Sequence, residues 1–273
     1  MNDQPSAANS PVEQAPIALL FHENSKISRS SLTYLAETVA EFSEDVDQVR
    51  LSTTSAKTYP GAERIRFDDV RRCPRLTMRL AHALARRRSV RRFSDRPVEL
   101  ATLISILKNA YGVTGQIGHP EHAEIVQPLR AAPSGGALYP IELYVAALNV
   151  DGLSDALYHV QINQRCLELC RPGPVAPLLE PLVLMPYGRL DAPCLLILTA
   201  RWERPLTKYS ERGYRFVLLD AGHVAQNVLL VATSVGLGGL LIGGFLDDDL
   251  ADALRLDPRQ EPVIYVIALG WPA

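Results

Sequence analysis

Cysteine is scarce. The 273 residues hold four, Cys73, Cys166, Cys170 and Cys194, too widely spaced for a zinc ribbon and too few for a secreted disulfide scaffold. An excess of charge is missing too: 28 basic residues face 30 acidic ones, for a formal net charge of -2. Chains that wrap nucleic acid usually carry a markedly basic domain, so no nucleic-acid partner is expected. The stretch from Met1 to Pro16 lacks the basic start and apolar run of a signal peptide, and the expectation is a cytoplasmic protein. Histidines are few. His119 and His122 form an HPEH loop without further ligands at metal spacing, so no metal site is expected.

One uncharged run, Asn227 to Leu246, is long enough to raise a membrane span. It contains Gly236, Gly238, Gly239, Gly243 and Gly244, and Asp247, Asp248 and Asp249 follow at once. Glycine at that density breaks a helix. The run therefore parses as the end of a buried helix near Gly236 followed by a glycine-rich loop or strand, with no membrane partner.

What is present is ordinary globular usage, 47% hydrophobic and 21% charged, with chain enough to bury a sizeable core. The organisation reads as a disordered tail over 1–15, an accessory region over 16–80 and a main domain over 81–273. A basic helical segment is expected from Arg75 to Arg88. Ser94 or Asp95 then caps a helix with Leu100, Leu103, Ile104, Leu107 and Ala110 on one face, stopped at Gly112 and Gly115. Gly118 to Pro133 has no strong period and reads as a loop. Strands are expected at Glu142 to Asn149 and Cys194 to Ala200, and as a hairpin from Leu157–Val160 and Cys166–Leu169. Six prolines mark Pro172 to Pro193 as a long connection. After a polar segment, Arg201 to Arg212, the longest helix runs from Gly213 to about Val235, apolar on nearly every face as in a domain centre or subunit interface. Val263 to Leu269 is the last strand. Without regular βαβ spacing, the class is α+β.

Three segments carry candidate chemistry. Arg86-Arg87-Arg88-Ser89-Val90-Arg91-Arg92 places five arginines and a hydroxyl in seven residues, donors that suit a phosphate, although a solvated basic face has the same composition. Pro133-Ser134-Gly135-Gly136-Ala137-Leu138-Tyr139-Pro140 offers close backbone approach to a flat ligand, or a plain turn. It is not a Walker A loop, and the glycines after residue 235 are not a dinucleotide fingerprint, because the helix precedes them. Lys208-Tyr209 pairs a proton acceptor with a phenol, a combination also common on ordinary surfaces.

Taken in order, the segments Arg87–Phe93, Pro133–Pro140, Thr207–Asn227 (TKYSERGYRFVLLDAGHVAQN) and Ile242-Gly243-Gly244-Phe245 resemble the flavin-dependent azoline dehydrogenases. These form a branch of the nitroreductase superfamily found in microcin-, streptolysin- and cyanobactin-type peptide biosynthesis. The resemblance runs from about Arg87 to Trp271. It implies a nitroreductase-like fold: a mixed or antiparallel central sheet flanked by helices, with the long buried helix at a dimer interface. It also implies FMN, with its phosphate and ribityl chain at Arg87, Arg88, Ser89 and Arg91. The loop residues Pro133, Ser134, Gly135, Gly136 and Leu138 would lie beside the flavin, and the backbone of Ile242, Gly243 and Gly244 would border the isoalloxazine. Lys208 and Tyr209 would move the proton, with Arg212 and Arg215 as nearby cations.

The implied reaction is two-electron oxidation of a thiazoline or oxazoline, peptide- or carrier-bound, to the aromatic azole. The implied partners are a second copy of the chain, an azoline substrate and a cyclodehydratase. Ala137 and Tyr139-Pro140-Ile141 stand where many nitroreductases carry Asn and Gln-Pro-Trp, which favours the azoline branch. Two alternatives remain: an NAD(P)H-dependent nitro or quinone reductase, and a non-catalytic subunit of a cyclodehydratase complex.

Overall fold

The computed structural model describes residues 16–54, 57–119, 122–185 and 188–273; the tail 1–15 lies outside them. Next to its central strand is the run Cys194–Ala200, seven uncharged residues buried along their whole length, as expected for a strand covered on both faces.

Three helices come first: α1 (Pro16–Asn24), α2 (Leu32–Glu44) and α3 (Val46–Thr54). Strand β1 (Arg64–Arg66), α4 (Leu80–Arg86), β2 (Val98–Glu99) and α5 (Leu100–Tyr111) follow. Next come β3 (Val113–Gly118), β4 (Val126–Arg130), β5 (Ile141–Ala147) and β6 (Val150–Asp151). Strands β7 (Ala156–Gln161) and β8 (Cys166–Pro172), the short α6 (Ala176–Leu179), and β9 (Cys194–Ala200) complete the middle. The last part is α7 (Glu203–Tyr209), α8 (Arg212–Ser234), β10 (Gly238–Ile242), α9 (Asp247–Ala253) and β11 (Val263–Gly270).

Among the described residues, seven strands form one sheet in the order β1-β8-β7-β5-β9-β11-β10, and every neighbouring pair is antiparallel. One face packs under α5 and α8 through Leu103, Leu107, Val217, Val224 and Val228. The other packs under α6 and α9 through Leu179, Leu250 and Leu254. The result is a sheet between two helical layers. Its β1 edge comes from residues 64–66, so the segment before residue 80 contributes to the main sheet.

Several local expectations are corrected. The basic segment is helical only over Leu80–Arg86. Helix α5 begins at Leu100 with Glu99 as its N-cap, rather than at Ser94 or Asp95, because Ser94 is tied by its N–H to Trp271 O at 2.9 Å. Its expected stop at Gly112 is observed. The stretch read as a loop after Gly118 pairs back as a β3–β4 ladder, Gly118 opposite Val126 and Val113 opposite Arg130. A strand pair this exposed shows no inward-facing alternation, the signal a strand reading needs. The polar segment after Arg201 contains α7.

Helix α8 ends at Ser234 and the glycine-rich run continues as β10, as its sequence reads. The helix is long and apolar enough to cross a bilayer, and half of its most apolar stretch is buried inside the fold. It is not covered on all sides within one chain: Leu218 is 44% and Leu219 57% exposed.

Candidate active site

The loop before β5 starts at Ser134, which caps a single tight turn over Gly135–Ala137. Gly136, Ala137 and Tyr139 all adopt positive φ, at 64°, 54° and 45°. For alanine and tyrosine this region costs about 1–3 kcal/mol each, so the surroundings must hold the loop in place. The Ser134 hydroxyl does so twice. It donates to Asp220 Oδ2 on α8 at 2.5 Å and accepts from Tyr139 N at 2.9 Å. The Tyr139 hydroxyl in turn accepts from Arg130 N at 2.9 Å. A Cβ at Gly135 would meet the Phe216 ring at 3.3 Å, and one at Gly136 would overlap the Tyr209 hydroxyl. Both glycines are needed for the approach to α7 and α8.

Lys208 and Tyr209 end α7 directly over this loop. Tyr209 packs edge-on against Phe216 at 5.0 Å. Burial, and then the Asp220 charge, raises the pKa of its phenol, which keeps the hydroxyl protonated. Lys208 Nζ lies 5.0 Å from the centre of the Phe42 ring, contributed by α2. Burial lowers the lysine's pKa, the direction a base requires. The arginines thought to assist face elsewhere. Arg212 donates to Ser25 O at 3.1 Å, and Arg215 to Ser25 Oγ at 2.9 Å and His22 O at 2.6 Å.

One helical turn before Lys208, the buried Arg204 fixes α7 to the loop. It donates to Tyr139 O at 2.9 Å and Glu142 Oε1 at 3.3 Å. Glu142 continues into a buried row: His159 lies 3.2 Å from Glu142 and 3.1 Å from Glu168, and Glu168 accepts from Arg64 at 2.8 Å.

Lys208 opens onto a cavity of about 270 Å³ lined by α2, α3, the β3–β4 hairpin and Gly136, Ala137 and Leu138.

The arginine segment sits at the other end of the sheet edge. Ser89 bridges Gly239 of β10 in parallel, and Val90 N donates to Gly239 O at 3.0 Å. A Cβ on Gly238 would overlap Val90 and one on Gly239 would lie 2.5 Å from Leu229 Cδ2, so this glycine pair seats the segment. Arg88 donates to Ala85 O at 3.0 Å and Arg87 O at 2.7 Å. Among the described residues no carboxylate pairs with Arg87, Arg88 or Arg91. Arg86 and Arg88 border a cavity of about 410 Å³ with Thr233, Ser234 and Gly238. Unpaired guanidinium groups beside a hydroxyl and a close backbone fit an anionic phosphate.

Ile242, Gly243 and Gly244 leave β10 at the opposite end from Ser89, about 13 Å along the strand at 3.3 Å per residue. There Leu184 N donates to Gly244 O at 2.9 Å, so the proline-rich connection lines this exit. The loop before β5 emerges at the same end, since Ile141 pairs with Ala200, Val263 with Thr199 and Ile242 with Val266. It is three strands away, about 14 Å. One chain thus joins loop 133–140 to Lys208-Tyr209 and leaves the arginine segment apart.

Phe42, Arg204 and the Gly238-Gly239 seat were not foreseen, nor was the role of Asp220. Asp220 had a readable signal: it is the only acidic residue between Glu211 and Asp247, in a helix that buries it. Phe42 and Arg204 had none, because their importance arises from contacts between distant segments.

Residues 84–271 match the nitroreductase family, and the chain belongs to it. A Methanocaldococcus jannaschii protein assigned to the nitroreductases is 35% identical over 68% of this chain and 88% of its own. The microcin B17-processing protein McbC of Escherichia coli is 30% identical over 63% of this chain, which spans 62% of McbC. Among solved structures, a nitroreductase-class protein from Anabaena variabilis superposes with a TM-score of 0.69 at 27% identity, over 93% of this chain and 46% of that one. A chain of the Escherichia coli microcin synthetase McbBCD complex, with truncated pro-MccB17 bound, shares the fold at a TM-score of 0.58 and 23% identity, over 95% of this chain and 93% of that one.

Proposed function

We propose that this protein is an FMN-dependent azoline dehydrogenase, oxidising thiazoline or oxazoline rings in a peptide to the aromatic azoles. The observation that carries the reading is Lys208, half-buried with a lowered pKa on the floor of a cavity, beside a Tyr209 phenol that stays protonated. A general base needs that combination of concealment and access. Similarity to the microcin B17-processing protein supports the choice of substrate.

In the reaction the ring loses two hydrogens. Neutral Lys208 Nζ takes one from ring carbon as a proton, while Tyr209 donates a hydrogen bond that orients the ring. FMN, when bound, would supply the two-electron acceptor for the second hydrogen. Arg87, Ser89 and Arg91 would hold the FMN phosphate, with Arg88 close by. Arg204 and Ser134 keep α7 and loop 133–140 in register, so that Lys208 meets the ring at a fixed place.

The loop and the arginine segment complete one site when two copies associate through α8. Exposed Leu218 and Leu219 on that helix, with Leu80 and Leu84 exposed on α4, support this homodimer. A cyclodehydratase is the partner that makes the azoline.

The test is mass spectrometry of a thiazoline peptide incubated with flavin-loaded protein in air. Loss of two hydrogens is expected from wild type and not from Lys208→Ala. An NAD(P)H-dependent reductase would instead bleach its flavin with NADPH under argon and leave the peptide unchanged.

A further inference from the structure

The helices α2 and α3 lie before residue 84, outside the part of the chain that matches the family, yet they wall the Lys208 cavity with Phe42, Val49, Ser52 and Thr53. We propose that α2 and α3 select the substrate, admitting an internal peptide segment whose azoline ring has uncharged neighbours. This rests on the azoline dehydrogenase reading above.

The lining chemistry carries the argument. No aspartate or glutamate is among the described lining residues, whereas Ser43, Ser52, Thr53 and Gln127 offer neutral donors and acceptors suited to peptide groups. Phe42 is 6% exposed, and its ring covers Lys208 Nζ at 5.0 Å. Among the described lining residues no carboxylate would pair with a cationic neighbour of the ring, which would enter beside Lys208 and lose hydration without compensation. An anionic neighbour would pair with Lys208, favour its ammonium form and remove the base. Both signs are therefore disfavoured, for different reasons. The volume, about 270 Å³, lies below the range of about 300–1,000 Å³ that takes drug-sized ligands, so it suits one small ring and its immediate neighbours.

The α2–α3 wall faces peptide rather than cofactor because it lies before the part of the chain that matches the family, whereas Gly136, Ala137, Leu138 and Lys208 on the opposite wall lie within that part. The unpaired arginines suited to the cofactor's phosphate also stand at the far end of the sheet edge from the loop beside Lys208.

The test uses FMN-loaded protein and three N-acetylated, C-amidated hexapeptides with one central thiazole flanked by alanine, aspartate or lysine, with binding measured by calorimetry. The alanine peptide should bind about tenfold tighter than the lysine one, whereas the aspartate peptide should bind at least as well as the alanine one but, as its thiazoline, be oxidised about tenfold more slowly. Ser52→Asp should improve binding of the lysine peptide by about tenfold and weaken that of the aspartate peptide. Val49→Trp should weaken all three while retaining FMN, with folding checked by circular dichroism. Equal binding of the three peptides by wild type, or no binding of any, overturns the proposal. So does loss of FMN from folded Val49→Trp, which would place the cofactor in the cavity. If the alanine-flanked thiazole binds selectively but the matching thiazoline is not oxidised, the selecting wall stands and the dehydrogenase reading falls.

Discussion

The Ser134 hydroxyl donates to Asp220 Oδ2 at 2.5 Å, fastening the strained loop before β5 to the core helix α8. Removing the hydroxyl in Ser134→Ala leaves a buried carboxylate and the Tyr139 N–H each without this partner. A loss of about 1–3 kcal/mol is expected, measured as a lower urea midpoint.

Asp220 itself gives a signed pH dependence. Burial raises its pKa above the ordinary 3.8, against the hydrogen bonds from Ser134 and Gly135. The folded protein therefore holds this proton more tightly than the unfolded chain. The stabilisation is complete below 3.8 and is lost as pH rises through the raised value. Asp220→Asn does not titrate there. Wild type should lose stability relative to the variant across that window, seen by urea titration at a series of pH values.

Lys208→Ala should keep FMN and lose at least about 10²-fold in turnover, the low end for general-base catalysis. Wild-type turnover should rise with pH, because the neutral amine is the active form, and level off below lysine's ordinary 10.5. Phe42→Ala uncovers Nζ to water, so its rising limb should move back toward higher pH. Rate profiles of flavin-loaded wild type and Phe42→Ala compare the two.

The double variant Arg87→Ala/Arg91→Ala should fold with most of its flavin absorbance missing. A fully yellow double variant would refute the phosphate assignment.

Leu219→Arg adds charge to the exposed face of α8, where Leu219 is 57% accessible. Sedimentation should show a dimer for wild type and a monomer for the variant, with flavin lost alongside the partner.

Gly136→Ala would drive a methyl group into the Tyr209 hydroxyl at a position with φ of 64°. Displacing the phenol by about 1 Å should cost up to about 10²-fold in turnover, with a smaller change in flavin content. Turnover per bound flavin measures it.

What local chemistry controls was legible in the residues alone. The uncharged run Cys194–Ala200 could only be an interior strand, Gly112 ended α5, and the glycines after residue 235 turned an apparent span into the end of a helix and a strand. The family was legible too, because four short motifs stand in order along one chain. What distant segments do to one another emerged from packing. The exposed β3–β4 hairpin has no buried face to write a period of two, so pairing alone revealed it. Lys208 owes its lowered pKa to burial partly under Phe42, from a segment more than 160 residues earlier, and not to the adjacent arginines, which turn toward α1. Desolvation depends on how closely packed atoms exclude water, and no spacing within one segment encodes that.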